Sequence, residues 1–370
     1  MTTRPWYSLK SPETCFSPGL LVYPSRIAEN ISIMLRIAGG ADKIRPHIKT
    51  HKMAEVIRMQ MDQGISRFKC ATLAEAELLG LCEAADVLLA MQPVGPNLAR
   101  FMELQAAFPA TAFSTIVDDI RIAHELQELA VKKGRRAAVF IDLDVGMNRT
   151  GIRPGALAIR LVEEISTLAN LSFRGLHVYD GHIRDSDPGD RRKACDEAFA
   201  PVRAMEKELE KLGLKAGVIV AGGSPTFPIH AGREGVETSP GTTLLWDARY
   251  GTDFPDMPFL PAAVLLGRVI SRPGDSLLCL DLGHKSIAPE MPFPRLQLLG
   301  MDDCRQLSQS EEHLVLSCPA AGDHPLGEAC YALPMHICPT VAKYPAVITV
   351  ESGEITGSWK VAARDHMISI

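Results

Sequence analysis

From about residue 20 to residue 250, short apolar runs rich in β-branched residues alternate with longer stretches of helical periodicity. Strands are expected at 20–23, 43–49, 67–70, 86–91, 112–117, 137–142, 172–178 and 217–221. Helices are expected near 25–38, 53–63, 72–84, 96–107, 118–133, 155–168 and 189–213. The helix ends carry matching signals: Thr72 stands three residues before Glu75 in capping-box spacing, and Gly134 follows a Lys-Lys last turn. Alternating strand and helix means parallel βα units, because a parallel neighbour needs a crossover long enough to hold a helix. Eight such units close naturally into a (β/α)8 TIM-type barrel. An open doubly wound sheet satisfies the same alternation.

After residue 255 helical periodicity fades. Short runs at 262–270, 276–280, 314–318, 336–341 and 346–350 are separated by Gly, Pro and Asp, as in a β-rich domain. The reading is therefore a barrel over 20–255 and a smaller β domain over 256–370, with the boundary in the Pro-rich stretch 254–261. A chain of 370 residues is long enough for both cores. A net charge of −5 argues against a nucleic-acid or anionic-membrane binder. No run is apolar for long enough to span a bilayer, and the first residues lack the apolar core of a signal peptide. Nine cysteines, scattered without a C-x-x-C pair, argue against a disulfide framework and favour a reduced, cytoplasmic setting.

The densest chemical signal is Arg45-Pro46-His47-Ile48-Lys49-Thr50-His51-Lys52. Lys49 is read as the end of the second strand, and in a βα barrel functional groups sit at strand C-termini. Crowding by other cations favours a neutral amine, the form that condenses with a carbonyl. A solvated basic loop is the bland alternative. His47 and His51 read equally as cofactor contacts or as ordinary loop residues.

Three further strand ends carry polar groups. Asp142-Leu143-Asp144 leads into a glycine-bounded turn containing Arg149, which suits a carboxylate or a phenolate oxygen, or else a structural ion pair. His177-Val178-Tyr179-Asp180-Gly181-His182 offers Tyr179 to an aromatic cofactor and His182 to proton transfer, while His177 reads equally as a core histidine. Gly222-Gly223-Ser224 allows close backbone approach to a phosphate, and Ser239-Pro240-Gly241-Thr242 is a second small, hydroxyl-bearing turn. In the β region, His336 and Cys338 would share one face of a strand, a donor pair suited to zinc or a similar divalent metal. Two buried core residues would give the same spacing.

Taken together, these residues make the chain resemble the D-threonine aldolase and D-serine dehydratase family, pyridoxal-phosphate enzymes of the alanine-racemase-like barrel fold. The resemblance rests on the octet 45–52, on Asp-Val-Gly-Met-Asn-Arg-Thr-Gly at 144–151, on Gly222-Gly223-Ser224 and on His336-x-Cys338. It implies that Lys49 holds pyridoxal 5'-phosphate and that His47, Arg149, His177, Tyr179, the 222–224 turn, Gly241 and Thr242 surround it. It further implies a divalent metal (zinc or manganese) on His336 and Cys338, a homodimer, and residues before about 20 joining the β domain. The aldolase branch usually has an aspartate where Cys338 stands. His177 and Arg184 stand where the dehydratase branch carries tyrosines.

The expected activity is that of a lyase on a small D-β-hydroxy amino acid: β-elimination to a keto acid and ammonia, or Cα–Cβ cleavage to glycine and an aldehyde. A racemase is a third possibility, but no opposing tyrosine can be identified and such an enzyme has no use for the metal pair. A non-catalytic cofactor carrier would have no need of the β domain.

Overall fold

The computed structural model describes residues 4–370. In chain order the strands are β1 (Gly19–Val22), β2 (Arg67–Cys70), β3 (Asp86–Leu89), β4 (Ala112–Val117), β5 (Ala137–Leu143), β6 (Leu171–Val178), β7 (Val218–Ala221) and β8 (Val236–Thr238). There follow β9 (Ala263–Gly274), β10 (Leu277–Leu280), β11 (Leu296–Leu299), β12 (Arg305–Gln309), β13 (Leu314–Ser317), β14 (Ala329–Pro334), β15 (Ala346–Glu351) and β16 (Glu354–Lys360). The chain divides into two compact units. One comprises Met34–Lys49, Val56–Gly241 and Asp365–Ile370; the other comprises the described part of Met1–Ile33, Thr50–Glu55 and Thr242–Arg364.

The first unit is the barrel. Seven parallel strands run in the order β2-β3-β4-β5-β6-β7-β8. The eighth place is filled by residues 44–47, which form no regular strand. Ile44 bridges Thr238 of β8 and His47 bridges Lys69 of β2, both in parallel. Three backbone bonds hold this seam: Arg45 N–H to Thr238 O at 2.8 Å, His47 N–H to Pro240 O at 2.8 Å and Lys69 N–H to Pro46 O at 2.9 Å. Pro46 has no N–H to give, which keeps a full ladder from forming.

Two strand expectations are thereby corrected. The run at 20–23 is β1, which pairs antiparallel with β9 and parallel with β15 rather than with the barrel. The last barrel strand is β8, a three-residue element with no apolar run to announce it. Gly222–Ser224 therefore follows the seventh barrel strand and Ser239–Gly241 the eighth.

The helices form where the periodicity places them: α1 (Pro24–Ala38), α2 (Ala54–Met61), α3 (Leu73–Leu81), α4 (Pro96–Ala107), α5 (Ile120–Lys132), α6 (Ala156–Thr167) and α7 (Pro188–Lys211), and the short α8 (Phe227–His230) follows β7. Thr72 caps α3 by accepting the Glu75 N–H, and Glu75 reaches back to the Ala71 N–H at 2.6 Å. Asp187 caps α7 by accepting from Gly189 and Asp190. Inside the barrel, Leu88, Ile116, Phe140 and Val220 come from four different strands and fill the floor with apolar side chains.

The second unit is a mixed sheet in the order β12-β13-β10-β9-β1-β15-β16, with β14 pairing β9 and β11. Its core gathers Leu9, Leu21, Tyr23, Val264, Leu266, Tyr331, Leu333 and Val350, with Ala248 of α9 (Ala248–Asp253). A disulfide joins Cys304 and Cys318, and the other seven cysteines form none. This is one bond rather than a framework, where none was expected. The segment at 336–341 is another correction: His336 is the N-cap of the short helix α10 (Ile337–Val341) and Cys338 lies in its first turn. Among the described residues no helix is long and apolar enough to cross a membrane.

Candidate active site

Lys49 lies in a single 3-10 turn, Ile48–Thr50, directly after the seam. It does not end a strand, as the sequence suggested. His47 is buried and its Nδ1 accepts the Lys49 N–H at 3.2 Å, so this histidine shapes the turn that presents the amine. The octet is also not one solvated basic loop. Arg45 is 1% exposed, with Nε at 2.8 Å from Glu237 and Nη1 at 2.7 Å from Asp86. Glu237 also takes Arg67, and Asp86 takes Arg174. His51 is fully buried, and burial drives its imidazole down to a pKa of about 3.

In the barrel unit, three cationic groups gather around one ring. Lys49 Nζ lies 5.7 Å, Lys69 Nζ 5.6 Å and Arg149 Cζ 5.0 Å from the centroid of Tyr179. Tyr179 follows the end of β6, whose last turn inward is His177. The latter is fully buried, with Nδ1 at 2.7 Å from Asp142 Oδ1 and Nε2 at 3.4 Å from Lys69 Nζ. Burial and the Lys69 charge both hold the imidazole below its ordinary range, against the opposing pull of Asp142. Burial works to raise Asp142, but the hydrogen bond and charge of His177 outweigh it and keep the carboxyl low. His177 is thus neutral, donates Nδ1–H to Asp142 and turns its Nε2 lone pair to Lys69.

Sequence reasoning left a structural ion pair between Arg149 and a nearby aspartate open. Instead Asp142 bonds His177, and Asp144 accepts the backbone N–H groups of Gly146 and Asn148. Arg149 projects from this loop and is exposed. His182 is also exposed, with its imidazole against Gly146.

The glycine turn sits beside the same ring. Gly222 has φ +84°, and a Cβ there would stand 2.8 Å from His230; a Cβ on Gly223 would stand 3.2 Å from Tyr179 Cε2. Ser224 Oγ accepts the Gly241 N–H at 3.2 Å, tying the turn after β7 to the turn after β8. Behind it lies a buried network that the sequence did not reveal. Gly223 N–H donates to Thr226 Oγ1, whose hydroxyl donates to Asp180 Oδ1 at 2.7 Å, and Asp180 Oδ2 meets His230 Nε2 at 2.8 Å. An amine, an aromatic ring, an arginine and a close-approach glycine turn after strands seven and eight fit the aldehyde, ring and phosphate of pyridoxal phosphate.

In the other unit, His336 and Cys338 are hydrogen-bonded through their side chains. Thr50 Oγ1 lies 3.1 Å and Thr242 Oγ1 3.6 Å from Cys338 Sγ. Thr242, expected around the cofactor, has this thiol as a neighbour. His336 Nδ1 meets Glu290 Oε1 at 2.6 Å, and buried Asp247 accepts the Ile337 N–H. A sulfur and an imidazole nitrogen, the latter oriented by a carboxylate, form a donor set suited to zinc or a similar metal.

The alanine racemase N-terminal domain family matches residues 22–248, more than half of the chain. The chain belongs to this family. A putative serine dehydratase domain matches residues 262–350. With the two matches in sequence, the family resemblance drawn from the octet and the glycine turn holds over both units. A D-threonine aldolase from Arthrobacter sp is 26% identical over 94% of this chain and 92% of its own length. A D-threo-3-hydroxyaspartate dehydratase from Delftia sp. (strain HT23) is 24% identical over 94% of this chain and 97% of its own. The crystal structure of D-threonine aldolase from Filomicrobium marinum superposes with a TM-score of 0.87 at 26% identity, covering 94% of this chain and 96% of that one.

Proposed function

We propose that this protein is a lyase dependent on pyridoxal phosphate and a divalent metal, acting on small D-amino acids that carry a β-hydroxyl. The observation that carries the reading is the gathering of Lys49, Lys69 and Arg149 around Tyr179, against a turn whose left-handed backbone at 222 favours glycine and where a Cβ at 223 would crowd Tyr179. Lys49 would hold the cofactor covalently and would serve as the base for the Cα proton. Tyr179 and Arg149 orient the ring, and Gly222, Gly223, Ser224 and Gly241 receive the phosphate. Bound pyridoxal phosphate supplies an electron sink for Cα, and a metal on His336 and Cys338 supplies a Lewis acid for an oxygen.

Two outcomes share these residues. Loss of hydroxide from Cβ gives, after hydrolysis, a keto acid and ammonia. Breaking Cα–Cβ gives glycine and an aldehyde. Cys338 in place of a carboxylate supports elimination, as does the full-length similarity to the Delftia dehydratase. The equally extensive similarity to the Arthrobacter aldolase supports cleavage. We also take the protein to be a homodimer in the cytoplasm.

The deciding experiment is a product assay. Purified protein with pyridoxal phosphate and zinc or manganese is given D-serine, D-threonine or D-3-hydroxyaspartate separately. Ammonia with keto acid marks the dehydratase; glycine with aldehyde marks the aldolase. Activity that survives a chelator would overturn the metal-dependent reading. Borohydride reduction followed by peptide mapping should find the pyridoxyl group on Lys49, and finding it elsewhere would show that the wrong lysine has been chosen.

A further inference from the structure

Lys69 stands in the gathering around Tyr179, yet the reading above gives it no chemical step. It lies on β2, is 2% exposed, and faces inward above the apolar floor of Leu88, Ile116, Phe140 and Val220. Its amine meets an imidazole rather than a carboxylate, with Nζ at 3.4 Å from His177 Nε2. That imidazole is anchored to Asp142 at 2.7 Å. Lys49 and Lys69 stand at almost equal distances, 5.7 and 5.6 Å, from the centre of the Tyr179 ring.

We propose that Lys69 is the second acid–base group of this site, paired with Lys49 beside the Tyr179 ring and connected through His177 to Asp142. This rests on the reading of Lys49 as the cofactor-bearing base. Lys69 shares this low-dielectric space with a second amine, a like-charged neighbour that makes the Lys69 proton easier to release. When Lys49 takes a proton from the substrate, Lys69 passes one from Nζ to His177 Nε2. The imidazolium so formed is stabilised by Asp142 through Nδ1–H. One proton enters the pair and one moves on to His177; the site resets when Lys49 gives its proton to the departing product and His177 returns the other to Lys69, and nothing is oxidised or reduced. Burial, then the Lys49 charge, bring Lys69 down to a pKa of about 7, with Asp142 and Asp180 opposing and Arg45 assisting. An amine with that value exchanges protons readily near neutral pH.

The test compares native protein, Lys69→Met and Lys69→Arg, each loaded with pyridoxal phosphate. The first readout is the pH midpoint of the visible absorbance of the bound cofactor; the second is borohydride mapping of its attachment. In Lys69→Met the cofactor should remain on Lys49, and the midpoint should rise by about half a unit or more, because a neighbouring cation that disfavours protonation is gone. Lys69→Arg, with a charge that cannot be released, should move the midpoint down instead, and should not restore turnover. A midpoint within 0.1 unit of native in Lys69→Met, with cofactor bound at Lys49, overturns this inference and leaves the proposed function standing. A native protein that takes up no pyridoxal phosphate overturns both.

Discussion

Glu290 Oε1 lies 2.6 Å from His336 Nδ1, which fixes that nitrogen as the donor to the carboxylate and makes Nε2 the one that can bind metal. Removing the carboxylate frees the ring to turn and lowers its basicity. Glu290→Gln should therefore weaken zinc or manganese binding by roughly 10–100-fold. A chelator-competition titration measures this, with pyridoxal content as the control that should not move. Unchanged metal affinity would reduce Glu290 to a half-exposed surface partner.

Arg45 ties the seam to Asp86 of β3 and Glu237 of β8. It is fully buried between Asp86 and Glu237, so truncation strands two carboxylates. Arg45→Ala should cost about 3–5 kcal/mol in urea unfolding, the usual penalty for breaking a buried pair. Burial works to raise Asp86, but the Arg45 hydrogen bond and the Arg45 and Arg174 charges outweigh it and hold the carboxyl low. Its contribution is therefore complete above the unfolded-state value of about 4 and disappears as pH falls through the lower folded-state value. The stability gap between native protein and Arg45→Ala should narrow in that acid window.

Gly222→Ala puts a methyl group into a left-handed backbone position and against His230. The backbone term alone is about 1–2 kcal/mol. Because the turn is the proposed phosphate seat, the loss should appear in cofactor retention during dialysis more than in metal binding. Retention equal to native would place the phosphate elsewhere.

Lys69 carries a stability penalty as well as chemistry. Its pKa falls from 10.5 unfolded to about 7 folded. The folded state thus binds fewer protons between those values, and stability rises with pH across that window. Lys69→Met removes the penalty and should raise the unfolding free energy of the cofactor-free protein at pH 7 by on the order of a few kcal/mol, seen as a higher Tm, with the advantage shrinking towards pH 10.5. A melting series over pH checks it; a variant less stable at every pH would contradict it.

The legible parts of this chain were those with strong local periodicity. Helices such as α5 and α7 announce themselves because Ala123, Leu126 and Ala130, or Cys195, Phe199, Val202 and Leu209, repeat at helical spacing. The failures have equally physical causes. The four residues of β1 are all buried, and such a run looks the same in a barrel as in a mixed sheet. With only three residues, β8 offers no pattern at all. His336 and Cys338 have strand spacing, yet Pro339 follows them, and proline is at home in the first turn of a helix. Of the site, the octet and the glycine turn were readable because their composition is unusual. Lys69 was not: in Arg67-Phe68-Lys69-Cys70 it alternates with apolar neighbours like any solvent-facing lysine, and only closure of the barrel turns that face inward. Asp180 and Glu290 were missed because their partners, Thr226, His230 and His336, are remote in sequence.

The seam at residues 44–47 has one last implication. Seven staves of this barrel are laced to their neighbours along their length, whereas the eighth is joined by three backbone bonds and clamped by one buried guanidinium. Hydrogen exchange should be fastest there among the staves, and acid, by neutralising the clamp, should spring the barrel at that joint first. The amine of Lys49 hangs two residues beyond it, so whatever is fastened to that amine is fastened to the loosest plank in the wall.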